Sequence, residues 1–242
     1  MVRLCYAFSK FVLWGLFRGR FGLEVRGQEY VPARGPFILA SNHISFLDPP
    51  LLGVACPRRL RFLARADLFR KPLLGFYLRS VGVIPLKRGE TDLTAVRSAL
   101  VRLDQGEGVA IFPEGNRQLT GRLGVAKRGV GLLAEVAQAP IVPVLVQGTF
   151  DALPPDATRL QRAKIRVAFG PPIPYTVGSV PANHSDDEPP PEHQGSGPAC
   201  RADHLSAIDW RKADGASRRA HHEQLAEAVT QSWRRLEEQP RT

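Results

Sequence analysis

Between residues 21 and 175, short apolar runs alternate with longer segments whose apolar residues recur every three or four positions. A strand sorts its side chains with period two and a helix along one stripe, so this alternation calls for helices packed on a central sheet. The expected fold is an α/β domain with a largely parallel or mixed sheet flanked by helices. Strands are expected near Phe21–Arg26, Phe37–Ser41, Leu60–Ala64, Val81–Pro85, Val109–Phe112, Ile141–Val146 and Ile165–Phe169, the later ones rich in Val and Ile. Helices fit between them. Pro49-Pro50 opens one that stops before Pro57, and Pro72 interrupts or restarts another over Asp67–Arg79. Thr91–Asp104 sets Leu93, Val96, Leu100 and Leu103 at helical spacing, and Gly129–Ala137 precedes the sixth strand.

With 242 residues, 43% hydrophobic and 23% charged, the chain has material for one large domain plus appendages, and wholesale disorder is excluded. The domain is expected over residues 21–176. Composition changes after Pro174: residues 177–218 contain Asp186-Asp187-Glu188-Pro189-Pro190-Pro191 and Gly195-Ser196-Gly197-Pro198, with few large apolar residues. Burial there cannot offset the entropy of ordering, so this stretch is expected to be a flexible insert. Residues 219–242 return to a helical pattern through Leu225, Val229, Trp233 and Leu236, and are expected to dock back on the domain. Cys5, Cys56 and Cys200 are odd in number and form no CxxC, which argues against a disulfide framework or a cysteine-based zinc site and for a reduced compartment.

The formal net charge of +10 falls entirely within residues 1–90, because the remainder carries equal numbers of acids and bases. Such asymmetry points to an anionic partner, nucleic acid or an acidic bilayer. Residues 1–20 decide between them. Leu4–Phe17 is rich in large apolar residues, is punctuated by Arg3, Lys10, Arg18 and Arg20, and is too short to span a membrane. It reads as a helix lying in a membrane interface, the alternative being a terminal helix buried against the domain. No helix–turn–helix, zinc finger or aromatic RNA-binding signature supports the nucleic-acid reading.

Candidate chemistry gathers in Ser41-Asn42-His43-Ile44-Ser45-Phe46-Leu47-Asp48-Pro49-Pro50, just after an apolar strand. In a regular helix, five residues separate His43 from Asp48 by about 7.5 Å of rise and about 140° of rotation, so a straight helix would not pair them. Pro49 moves Asp48 out of the helical region and makes it the expected N-cap of the next helix, leaving four residues to turn back. One carboxylate oxygen would then cap the helix while the other fixes the His43 tautomer, giving an activated general base. His204 and Asp209 share the same spacing, but follow no strand and precede no Pro-capped helix, so they read as coincidence. A second group, Pro113-Glu114-Gly115-Asn116-Arg117, leaves the strand around Val109–Phe112. Arg117 suits bidentate phosphate recognition, and Glu114 suits a hydroxyl or the orientation of that arginine. Lys87-Arg88 at another strand end could complete a phosphate site or simply be solvated.

These elements, in this order, resemble the glycerolipid acyltransferase family that includes lysophosphatidic acid acyltransferases. Asn42, His43 and Asp48 match its first motif, Arg88 the arginine of its second, and Phe112, Pro113, Glu114, Gly115 and Arg117 its third, with Asn116 where Thr or Ser is usual. Ile141-Val142-Pro143-Val144 matches the fourth. The resemblance implies a single acyltransferase domain. It implies transfer of a fatty acyl group from acyl-CoA or acyl-ACP, as co-substrate, to the free hydroxyl of 1-acyl-glycerol-3-phosphate, with no metal or other cofactor. Under it, His43 and Asp48 are catalytic, while Arg88, Glu114, Gly115 and Arg117 bind substrate. Another lysolipid or an amino lipid is the alternative acceptor. A peripheral or monotopic position at the cytoplasmic face of a membrane follows as an expectation, with no nucleic-acid partner.

Overall fold

The computed structural model describes residues 2–86, 92–154, 157, 159–175 and 216–239. Seven strands form one sheet: β1 (Glu24–Arg26), β2 (Phe37–Ser41), β3 (Leu60–Arg65), β4 (Ile84–Leu86), β5 (Gly108–Ile111), β6 (Ile141–Gln147) and β7 (Arg166–Phe169). Their order across the sheet is β1-β7-β6-β2-β5-β3-β4. Every neighbouring pair is parallel except β6 and β7. The sheet is therefore mixed, and its buried central strands read as continuous apolar runs, as two covered faces require.

Both faces carry helices. On one, α1 (Val2–Phe21) and α2 (Asp48–Ala55) bring Phe17, Phe21, Leu51 and Leu52 against Phe37, Leu39, Val142 and Val144. On the other, α4 (Asp92–Asp104), α5 (Gly129–Ala137) and a final helix, α7 (Ala216–Glu238), bring Leu100, Leu133, Val229 and Trp233 against Ile38, Ala40, Ile141 and Leu145. The alternation within β2 and β6 sends successive side chains into opposite cores. Trp233 is fully buried and its indole Nε1 donates to Ala40 O at 3.1 Å, tying α7 to the end of β2.

Several boundaries differ from expectation. Phe21 closes α1 and Val81 closes α3 (Pro72–Val81), instead of opening strands, because Gly22 and Gly82 take left-handed backbone angles and end those helices. Pro72 restarts a helix, preceded by a 3₁₀ turn over Ala66–Arg70. Of the expected insert 177–218, residues 216–218 already belong to α7, and residues 177–215 lie outside the described residues.

The first helix buries one side against the domain and exposes the other. Phe17 and Phe21 enter the core, Tyr6 Oη donates to Gly53 O, and Lys10 Nζ donates to Cys56 O. Phe8, Phe11, Val12, Trp14 and Leu16 remain exposed on its outer side. It also packs against α3, whose Leu73 and Phe76 are 88% and 66% exposed. Among the described residues, no helix is long and apolar enough to cross a membrane.

Candidate active site

The parallel strands β6, β2 and β5 are adjacent and end at Gln147, Ser41 and Ile111. The sequential strands β5 and β6 lie on opposite sides of β2, so the chain changes direction across the sheet there. In open α/β sheets the crevice beyond the carboxyl ends at such a switch point is where ligands bind. The sequence motifs occupy this edge. Asn42 fixes it, because its side-chain amide donates to Val146 O at 3.0 Å and accepts from Val146 N at 2.7 Å, extending the β2–β6 pairing past the last strand residue.

His43 and Asp48 do meet. His43 Nδ1 lies 2.8 Å from Asp48 Oδ2, which also accepts from Ile44 N at 2.7 Å and Ser45 N at 2.8 Å. The five-residue spacing thus closes as a tight turn around a single carboxylate oxygen. Helix capping is corrected: Asp48 is the first residue of α2, Leu47 occupies the N-cap, and no side chain caps the helix. The second oxygen, Oδ1, instead accepts from the hydroxyl of Thr149 at 2.6 Å. Asp48 is completely buried, whereas the His43 side chain is 19% exposed. With three other donors on the carboxylate, Nδ1 donates as well, and the lone pair resides on Nε2. Phe112 stacks on the imidazole with ring centroids 4.1 Å apart, holding its plane.

The β5 exit loop sits beside this pair. Gln118 N donates to His43 O at 2.8 Å. Glu114 is buried, its Oε1 accepts from Gly124 N at 3.2 Å, and its Oε2 has no partner among the described residues. Burial pushes the Glu114 carboxyl above the usual carboxylate range, opposed by bonds from Gly124, the Gln118 side chain and the His43 backbone. Arg117 is oriented by the Phe46 ring, 3.8 Å from guanidinium carbon to centroid, with no bond to Glu114. Its buried Nη1 has no acceptor among the described residues. Gly115 adopts a φ of 81°, and a Cβ there would fall 2.8 Å from Lys127 Nζ, so glycine lets that cation lie against the loop. Arg88 lies outside the described residues. Among the described residues no group of three or more His, Cys, Asp and Glu is placed to hold a metal ion.

Thr149, Phe46 and Lys127 were not legible as site residues. Phe46 and Lys127 lie close to the motifs in sequence but acquire a role only through their contacts with Arg117 and Gly115, and the small polar residue after β6 signals nothing until β6 is known to lie beside β2.

A buried acid bonded to a partly exposed histidine, next to a guanidinium, suits base-assisted attack by the hydroxyl of an anionic substrate. The family described as Acyltransferase matches residues 22–147. The chain is 35% identical over 172 residues to 1-acyl-sn-glycerol-3-phosphate acyltransferase alpha of Homo sapiens, covering 69% of this chain and 58% of that protein. It is 30% identical over 156 residues to the 1-acyl-sn-glycerol-3-phosphate acyltransferase of Bacillus subtilis (strain 168), covering 64% and 75%. It spans about half the length, 44% and 47%, of two chloroplastic plant relatives. The crystal structure of the 1-acyl-sn-glycerophosphate acyltransferase PlsC from Thermotoga maritima superposes with a TM-score of 0.64 at 19% identity, covering 100% of this chain and 81% of that one, a likeness of fold. The family match and the Bacillus relative, together with the motif geometry, show that this chain belongs to the acyltransferase family.

Proposed function

We propose that the protein transfers a fatty acyl group from acyl-CoA or acyl carrier protein to the free hydroxyl of 1-acyl-glycerol-3-phosphate, forming phosphatidic acid. The observation that carries this reading is the His43 Nδ1 to Asp48 Oδ2 contact of 2.8 Å beside Arg117, whose buried Nη1 has no acceptor among the described residues. His43 Nε2 takes the proton of the acceptor hydroxyl as that oxygen attacks the thioester carbonyl carbon. Asp48 stabilises the imidazolium that forms. When the tetrahedral intermediate collapses, the carbon–sulfur bond breaks and the thiolate takes the proton back from His43. The products are the ester and the free thiol, with no change of oxidation state, and the reaction as written draws on no metal or cofactor. Arg117 binds the acceptor phosphate, with Lys127 and Arg88 as additional cations. Gly115 allows the phosphate to approach the backbone, and Glu114 holds the loop that carries Arg117.

The acceptor stays in a bilayer, so the protein must meet one. We assign that contact to the exposed apolar side of α1 together with Leu73 and Phe76 of α3, flanked by the exposed Arg18, Arg20, Arg70 and Lys71. Such a rim matches an anionic lipid surface, and a contiguous apolar patch of this kind marks an interaction face. The protein is then peripheral or monotopic on the side of the membrane that faces the cytosolic thioester.

Purified protein given labelled acyl-CoA or acyl-ACP and a panel of lysolipids tests the proposal. Labelled phosphatidic acid from 1-acyl-glycerol-3-phosphate is expected. Preferential acylation of a phosphate-free amino lipid would replace the acceptor, and salt-sensitive nucleic-acid binding with no acyl transfer would overturn the reading.

A further inference from the structure

We infer that Thr149 is a positioning residue for acyl transfer, holding Asp48 through its hydroxyl so that Asp48 in turn holds His43. The inference rests on the His43–Asp48 mechanism above and extends it to the neighbouring strand. Thr149 opens the short helix α6 (Thr149–Ala152), two residues beyond the stretch matched by the family. It is completely buried, as is Asp48.

The bonds to Asp48 are unevenly divided. Oδ2 accepts from His43 Nδ1, Ile44 N and Ser45 N, all within the loop that the carboxylate itself organises. Among the described residues, Oδ1 accepts only from Thr149 Oγ1, across 101 residues of sequence. The separation of 2.6 Å lies in the range of hydroxyl-to-carboxylate bonds. An ionised carboxylate has no proton to give, so the single hydroxyl proton of Thr149 points at Asp48. Rotation of Asp48 about its side-chain bonds would carry Oδ2, and with it the imidazole, away from the site. Thr149 is the contact from outside the loop that opposes this.

Its own place is set from two sides. Asn42 clamps the exit of β6 to the exit of β2 through both backbone groups of Val146. Gly148, with a φ of 80°, presses the following turn against the chain before β7, where a Cβ would fall 1.9 Å from Lys164 O. The hydroxyl is therefore delivered by rigid backbone rather than by a mobile loop, as precise positioning requires.

Two substitutions separate hydroxyl from shape. Thr149→Val keeps the volume and removes the donor, whereas Thr149→Ser keeps the donor and removes the methyl. Thr149→Val is expected to lower kcat roughly tenfold to hundredfold with KM for both substrates near wild type, as loss of a bond to a charged group made at the catalytic step would. Thr149→Ser should turn over at close to the wild-type rate. In an Asp48→Asn background, where the charge is gone, Thr149→Val should cost less than about threefold more. If the Val variant fails to fold, the Ala and Ser variants carry the test: a slow Ala variant with a normal Ser variant supports the inference, and equal rates overturn it. Wild-type kcat in folded Thr149→Val, or the full loss repeated in the Asp48→Asn background, would overturn it too. Undiminished turnover in Asp48→Asn would remove the His43–Asp48 mechanism as well, whereas a silent Thr149→Val beside a crippled Asp48→Asn would sink the Thr149 inference alone.

Discussion

Replacing Asp48 by Asn is expected to slow acyl transfer about 10²–10³-fold while the protein remains folded, and the geometry sets both numbers. Three donors converge on Oδ2 at 2.7–2.8 Å, so the amide oxygen of the variant must occupy that position. An amide nitrogen there would face Ile44 N and Ser45 N, donor against donor. The nitrogen therefore takes the place of Oδ1, where the Thr149 hydroxyl can turn from donor to acceptor. No buried polar atom is stranded, and His43 keeps its proton on Nδ1. The stability cost is limited to weakened charge-assisted bonds, about 1–2 kcal/mol, or a Tm lower by about 2–8 °C for a chain of this size. The rate suffers more, because the imidazolium formed as Nε2 takes the proton has lost its counter-charge. Two unit charges about 4 Å apart at an effective dielectric constant of about 20 attract by about 4 kcal/mol, part of which the amide dipole retains. A net loss of about 3–4 kcal/mol gives the stated factor. Thermal unfolding and kcat with labelled thioester measure the two effects separately. A folded variant within about threefold of wild-type turnover would refute the electrostatic role, and a loss of cooperative unfolding would show that the carboxylate acts through the fold.

Arg117→Ala is expected to raise the KM for 1-acyl-glycerol-3-phosphate with a smaller change in kcat, and Arg117→Lys to restore it only in part, since a point charge cannot give bidentate contact or stack on Phe46 as a guanidinium does; unchanged acceptor kinetics would remove Arg117 from the site. Burial raises the Glu114 carboxyl, so the protonated form is favoured by folding: its contribution is fully present below the ordinary Glu value and is lost as pH rises through the raised one. Glu114→Gln should therefore be more heat-stable than wild type at pH 8, with the gap closing toward pH 4, and a gap of the same size at both pH values would contradict this. Deleting residues 1–20 would strip Phe17 from the core, so attachment is better tested by replacing the exposed Phe8, Phe11 and Trp14 with Ser. That triple variant should keep its Tm and sediment less with anionic vesicles; sedimentation equal to wild type would refute the apolar face as the contact.

The seven strands and most helix positions were legible because each apolar run is short, bounded and repeated, and because burial on both faces leaves a continuous apolar string in β2 and β6. Boundaries slipped at Phe21 and Val81, where an apolar residue before a glycine satisfies a helix end as readily as a strand start. The pairing of His43 with Asp48 was legible in the local spacing, although Pro49 does not hold Asp48 out of the helix as expected: Asp48 is the first residue of α2. What was not legible is the capping arrangement: with Asp48 inside the first turn of α2, its second oxygen is free for a partner from another strand. Thr149 depends on β6 lying beside β2, and the contacts of Phe46 and Lys127 depend on how the loops after β2 and β5 fold, which no local pattern encodes. The exposure of Leu73 and Phe76 on α3 is not encoded locally, because the same apolar pattern fits a buried helix.

In the proposed reaction His43, in its own context, removes the acceptor proton. His204 and Asp209, which lie outside the described residues, repeat the five-residue spacing in the sequence and so provide a control. The decisive measurement is the rate of labelled phosphatidic acid formation from 1-acyl-glycerol-3-phosphate by wild type, His43→Ala and His204→Ala, each first shown to be folded by thermal unfolding. Nearly complete loss in His43→Ala with His204→Ala close to wild type is predicted, whereas undiminished turnover in folded His43→Ala, or dependence on His204, would contradict the account.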